Sequence, residues 1–216
     1  MILTYYGHAL FTIALSCGVI IAADPYQNLF QFLERNLEAD ICTISHRHFE
    51  HNSVGVFQKL PIIIDQPGVH SPAEGVRITG IPTFHDDAEG QKRGQNLVFL
   101  LEAEGLRIVH LGDLGHVLSS EQIQAIGKPD VLLLPVGGVY TIDPQAALTV
   151  MDSLSPRITV PMHYRTRACP DMPIAPLSDF LQLLSINPEP MPICRITRED
   201  ISERPPIIVM ITPEGL

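Results

Sequence analysis

Three imidazoles and a carboxylate fall within the six residues His46-Arg47-His48-Phe49-Glu50-His51, which follow the apolar run Ala39-Asp40-Ile41-Cys42-Thr43-Ile44 and Ser45. Neutral imidazole nitrogens and carboxylate oxygens are ligands for divalent first-row ions, zinc foremost. A loop leaving a strand can turn alternate side chains toward one ion or two. Clustered imidazoles repel one another once protonated, so a purely structural role explains the motif poorly. One loop cannot complete such a centre, because a catalytic zinc takes three protein ligands beside an open position and a pair of ions needs more. Further donors stand after other apolar runs: His85 after Val76–Ile81, Asp113 after Leu106–Leu111, and His163 after Arg157–Pro161. Taken singly, each is as readily an ordinary loop residue. Strand ends on one edge of a sheet, however, converge on one cleft.

The order His-x-His-x-acid-His, then His, Gly-Asp and His resembles the metallo-β-lactamase superfamily. Gly7-His8-Ala9, Asp24-Pro25-Tyr26, His110-Leu111-Gly112-Asp113, Leu134-Pro135-Val136-Gly137-Gly138 and Val160-Pro161-Met162-His163-Tyr164 are similar to its branch of L-ascorbate-6-phosphate lactonase-like and uncharacterised metal-dependent hydrolases. The matches run from His8 to His163. The resemblance implies a four-layer αββα sandwich with the metals at one edge between the sheets. It further implies that His46, His48 and His85 hold a first ion, that Glu50, His51 and His163 hold a second, and that Asp113 bridges them. Glu50 departs from the family, which usually has Asp there; its extra methylene pushes the carboxylate about an ångström further out, so it either ligates after a loop adjustment or crowds the second site.

Other polar residues take supporting places. His8 either reaches the cleft or caps the first strand, and Asp24 is expected to receive a ligand's N–H and so fix an imidazole tautomer. His116, three residues past Asp113, and Tyr140, in the Gly137–Thr141 loop, are candidates for protonating a leaving group. His70 and His110 are not expected to ligate. Arg47, Arg165 and Arg167 flank ligand positions and could pair with a substrate phosphate or carboxylate.

The elements that must position these groups follow from periodicity. Residues 9–15 and 18–23 read as a hairpin around Ser16-Cys17, and Asn28–Leu37 has helical apolar spacing. Strands are predicted near 41–44, 61–64, 76–81, 96–102 and 106–111, with short apolar strands at Val131–Leu134 and Ile158–Val160 and a closing strand at Ile207–Ile211. Ser119-Ser120-Glu121-Gln122 signals a helix to about Ile126, Asp143-Pro144 opens another to Leu154, and Leu177–Leu184 reads as a third. Early antiparallel strands followed by alternating β and α elements make a layered α/β (α+β) protein, most simply one domain over residues 1–216.

With 216 residues, 45% of them hydrophobic, the chain can bury a sizeable core. Its net charge of −10 argues against a nucleic-acid surface. Cys17, Cys42, Cys169 and Cys194 form no close pair, no run is long enough to span a membrane, and the first residues do not read as a signal, so a cytoplasmic protein with reduced thiols is expected. The chemistry that fits is hydrolysis of a small ester, lactone or phosphodiester by water activated on one or two Zn²⁺, with Mn²⁺ or Fe as substitutes. Asp113, His116 and Tyr140 are the candidate catalytic residues. A redox di-iron protein and a non-catalytic metal-binding or regulatory protein are the alternatives. The expected partner is a small molecule, anionic if the arginines are used, with no nucleic acid and no membrane; homo-oligomerisation stays open.

Overall fold

The computed structural model describes residues 1–27, 36–203 and 206–213. One sheet is built from β1 (Ile2–Tyr5), β2 (Phe11–Ala14), β3 (Ile20–Ala23), β4 (Ile41–Thr43) and β5 (Ile62–Ile64) in that spatial order. The first three strands are antiparallel neighbours, while β3, β4 and β5 run parallel. The second sheet starts from β6 (Gly68–Ala73), β7 (Val76–Phe84), β8 (Gln95–Ala103) and β9 (Leu106–His110), an antiparallel meander. It continues through the parallel strands β10 (Val131–Pro135) and β11 (Ile158–Met162). Late in the chain, β12 (Pro190–Met191) pairs with the last strand, whereas β13 (Cys194–Arg195) joins the first sheet beside β1. The second sheet is closed by β14 (Ile207–Ile208) on β11, and β15 (Met210–Ile211) is the partner of β12.

Alternation decides which faces meet. Ile21 and Ile41 join a core shared with Ile78, Phe99, Val109 and Leu133 of the second sheet, whereas their neighbours Ala22 and Cys42 point to a smaller cluster with Leu10, Tyr26, Val56 and Phe57. Every residue of β10 and β11 is buried, as expected of parallel strands covered on both faces. The covering helices are α1 (Ser120–Ile126), α2 (Pro144–Leu154) and α3 (Leu177–Leu184). Ser119 and Gln122 form the reciprocal cap that opens α1, and Asp143 accepts the Ala146 N–H with Pro144 in the first turn of α2. A short helix, α4 (Arg198–Glu203), follows β13.

Four expectations need amendment. β1 is a strand that periodicity did not suggest, since four residues define it only by pairing with β2 and β13. No element is predicted over Gly68–Ala73, which form β6, an exposed edge strand in which Pro72 is tolerated because an edge need not use every N–H. The closing strand divides into β14 and β15, which join different sheets. Most of the helix expected over Asn28–Leu37 lies outside the described residues, and Leu37 itself bridges to Phe57 as extended chain. No helix among the described residues is long and apolar enough to cross a membrane. Cys17 is exposed, and Cys42, Cys169 and Cys194 are buried.

Candidate metal centre

Candidate ligands leave the sheets where strands end. His46, His48, Glu50 and His51 lie in the loop after β4, His85 follows β7, Asp113 lies just past β9, His163 follows β11, and His8 sits between β1 and β2. Nε2 atoms of four histidines surround one carboxylate oxygen, Asp113 Oδ2: His51 and His85 at 3.3 Å, His163 at 3.4 Å and His46 at 4.0 Å. His46 Nε2 and His48 Nδ1 are 3.1 Å apart. Donors bound tetrahedrally to one zinc at about 2.0–2.1 Å are separated by about 3.3–3.4 Å, so the cluster has the spacing of a ligand shell. Among the described residues, buried Asp113 Oδ1, His85 Nδ1 and His163 Nδ1 find no hydrogen-bond partner. Donor types, spacing and the unpartnered Asp113 Oδ1 all fit divalent ions.

Two triads emerge within the cluster. His46, His48 and His85 bring one ligand atom each within 4.8 Å of one another, and so do His8, His51 and His163. The first is the set expected for the first ion. The second contains His8 where Glu50 was expected. Glu50 is half-buried and lines the cleft without joining either triad. The His8 ring lies tilted against its neighbours, with its centroid 4.1 Å from that of His163 and 4.8 Å from that of His51.

Asp24 organises the centre from behind. Fully buried at the end of β3, its Oδ1 accepts the Ser45 N–H at 2.7 Å, and its Oδ2 accepts the Ser45 hydroxyl at 2.6 Å and the His51 Nδ1–H at 2.8 Å. Because the single Ser45 hydroxyl proton goes to the carboxylate, its oxygen accepts from His46 Nδ1, 2.9 Å away. Both imidazoles thereby turn Nε2 to the centre, as a carboxylate behind a ligand is expected to do. Asn96, buried within β8, holds Asp113 in the same way: its Oδ1 accepts the Asp113 N–H at 3.0 Å, and its Nδ2 donates to Leu111 O and Thr83 Oγ1.

Charge follows from burial and proximity. Burial alone would raise the Asp113 carboxyl, yet His163 and His51 hold it well below the usual carboxylate range. Burial would lower His51, but Asp113 and Asp24 on its two nitrogens push it up to about 10. An entering ion therefore displaces a proton from this ring. Burial, assisted by His51, lowers His46 to about 3; burial also lowers His8 and His85, leaving them neutral as ligation requires.

The cleft over the centre has a volume of about 620 Å³; Arg47, Phe49, Arg93, Tyr140, Met172 and Pro173 complete its wall around the ligands. A larger cavity, about 680 Å³, opens beside Met151, Pro156, Leu184 and Ile207 and contains none of the candidate ligands, so volume alone does not find the chemistry here. Tyr140 reaches the cleft, but His116 does not. The Phe84 N–H donates to His116 Nε2 at 3.2 Å and its Nδ1–H donates to Val117 O at 2.8 Å, so both ring nitrogens serve the backbone. His110 similarly links the sheets, with Nε2 donating to Ala9 O and Nδ1 accepting the Gly112 N–H. Arg47 is ion-paired with Asp65 at 3.0 Å, and Arg165 and Arg167 do not line the cleft. Asn96, Ser45 and Arg93 had not been singled out as site residues, since nothing in a strand or loop sequence marks a buried amide or the direction of a guanidinium.

Known proteins share this fold. Residues 2–163 match the family described as "Beta-lactamase superfamily domain". A UPF0173 metal-dependent hydrolase of Methanoculleus marisnigri is 30% identical over 190 residues, 77% of this chain and 82% of the relative. A crystal structure from Thermotoga maritima, described as a candidate Zn-dependent hydrolase of the metallo-β-lactamase superfamily, is 37% identical, superposes with a TM-score of 0.79 and covers 98% of this chain and 99% of its own. Igni18, a metallo hydrolase of Ignicoccus hospitalis, is 26% identical with a TM-score of 0.64 over 85% of this chain and 90% of its own. The chain, with its two sheets, flanking helices and His/Asp cluster, belongs to the metallo-β-lactamase superfamily and, within it, to the UPF0173 metal-dependent hydrolase family.

Proposed function

We propose that the protein is a metal-dependent hydrolase, with zinc as its resident ion, acting on a small ester, lactone or phosphodiester. The convergence of four imidazole Nε2 atoms on Asp113 Oδ2 at the floor of an open cleft supports this most directly. His46, His48 and His85 would hold one ion and His51 and His163 the other, with His8 or Glu50 completing the second set and Asp113 between them. When bound, the ions supply a water whose pKa is lowered to about 7 and Lewis acidity toward the carbonyl or phosphoryl oxygen. The chain contributes the rest. Asp24 and Ser45 fix the His46 and His51 tautomers, Asn96 holds the Asp113 backbone, and Tyr140 is the candidate left in the cleft to protonate a leaving group. The relatives described as a candidate Zn-dependent hydrolase and a metallo hydrolase favour the same reading.

Elemental analysis of protein purified in zinc-supplemented medium, followed by a panel of chromogenic esters, lactones and phosphodiesters, tests the proposal. Near-stoichiometric zinc and turnover that chelation abolishes are expected. Iron as the resident metal would move the assignment to a redox di-iron protein. A fully zinc-loaded protein inert across the panel would point to a non-catalytic metal-binding role.

A further inference from the structure

Arg93 is the cation of the cleft that no described carboxylate claims. It is half-buried, lines the cavity over the metal centre, and lies with its Cζ 5.7 Å from the Tyr140 ring centroid. Arg47, the other arginine of the cleft, is paired with Asp65; away from the cleft Arg77 and Arg107 pair with Glu102 and Arg198 with Asp130. Among the described residues none forms an ion pair with the Arg93 guanidinium. A guanidinium is weakly hydrated and rests readily on an aromatic face, so half-burial there is tolerated, but its five N–H groups then await an acceptor.

The loop carrying Arg93 is wound around one carboxylate. Asp86 Oδ1 accepts the N–H groups of Ala88 and Gly90 at 2.8 and 2.9 Å, and Oδ2 accepts those of Lys92 and Arg93 at 2.9 and 2.7 Å. Asp86 is covered by its own loop and directly follows His85, so the backbone of Arg93 is tied to that of a ligand candidate. Gly90 closes the winding in the left-handed region (φ 80°), where a Cβ would press on the Gly94 carbonyl and the Phe84 ring. Such a loop presents its arginine without an ordering cost at binding.

We propose that Arg93, positioned by Asp86, recognises a second, non-reacting carboxylate or phosphate group on the substrate. The substrate then carries its anionic handle opposite the bond broken at the metals, with Phe49, Met172 and Pro173 flanking its apolar portion. This deepens the proposed hydrolase function and rests on the cleft being the substrate site.

Calorimetric titration of the zinc-loaded protein tests it without turnover. Succinate and phosphonoacetate offer a metal-seeking group plus a second anion, as carboxylate and phosphonate respectively; acetate offers the first group alone. Wild type should bind at least one of the two at least about tenfold more tightly than acetate. Arg93→Gln should erase that preference and leave acetate affinity unchanged, while Arg93→Lys should keep part of it, having the charge without the planar fork. Asp86→Asn should reduce the preference while sparing acetate. Which difunctional anion wins identifies the handle. A wild type that does not discriminate, or an Arg93→Gln variant that still does, overturns the assignment. If the preference is lost in Arg93→Gln but the protein hydrolyses nothing, the hydrolase proposal fails and the recognition role stands.

Discussion

Asp24→Asn changes one atom at a place where three hydrogen bonds converge, and the structure sets what that atom costs. Asp24 sits in the left-handed region at φ 48°, which Asn tolerates well, so no backbone strain is added. Its two oxygens receive three donors: Ser45 N–H, Ser45 Oγ–H and His51 Nδ1–H. An amide has one oxygen. If its NH₂ faces the Ser45 N–H, a buried backbone donor loses its acceptor, at a cost of about 1–3 kcal/mol of folding stability. If instead the NH₂ faces His51, the imidazole must accept at Nδ1 and carry its proton on Nε2, the atom 3.3 Å from Asp113 Oδ2. The ring is then in the wrong tautomer to ligate, and metal affinity falls about 10–100-fold. Zinc competition against a chromogenic chelator measures the second cost, and urea denaturation of the chelator-stripped protein measures the first. A variant that matches wild type within about twofold in affinity and about 0.5 kcal/mol in stability would refute the role given to Asp24.

Three other outcomes are expected. His8→Ala should lose one of two bound ions whereas Glu50→Ala should retain both, because His8 and not Glu50 stands within ligand spacing of His51 and His163; elemental analysis of the two variants decides, and the reverse pattern would reinstate Glu50. Asn96→Ala should destabilise the fold by about 2–4 kcal/mol in chemical denaturation, since it orphans the Asp113 N–H and the Leu111 carbonyl in the buried turn after β9. Stability of the metal-free protein should peak near pH 7 and fall on both sides. Burial depresses His46 to about 3 and lowers His8 and His85, so folding resists their protonation and stability falls as pH drops below their unfolded value of about 6.5. His51 works oppositely: raised to about 10 against burial by Asp113 and Asp24, its contribution is complete below about pH 6.5 and disappears as pH rises through 10. Thermal melts with chelator across this range check both limbs, and a flat profile would contradict them.

Strands that end in ligands were legible because alternation, continuous apolar runs and the donors after them are local patterns. The parallel strands β10 and β11 read directly as apolar runs, and the caps of α1 and α2 could be named from Ser119, Gln122, Asp143 and Pro144. Edge strand β6, with Pro72 and a free side, carries no such pattern. β1 exists by virtue of partners at both ends of the chain, β2 and β13, the latter nearly two hundred residues away and invisible to any window.

What sequence could not disclose was how the candidate ligands are held. His8, Asp24 and His163 all adopt left-handed backbone conformations, with φ of 54°, 48° and 52°, a cost that non-glycine residues accept only when surroundings impose it. The His8 carbonyl receives both the Tyr5 hydroxyl at 2.9 Å and the His163 N–H at 2.8 Å, so the first sheet's opening turn and the second sheet's ligand loop are locked to each other. A Cβ on Gly137 would overlap the His163 carbonyl, and one on Gly112 would overlap Asn96 Oδ1. Those glycines are therefore required by the approach of another segment. Since His8 comes from the first sheet and His163 from the second, the second triad can form only after the two sheets have packed. The first triad is divided in the same way, with His46 and His48 after β4 and His85 after β7, so the geometry of both is a property of the assembled core, and substitutions that loosen the packing between the sheets should weaken the two triads together.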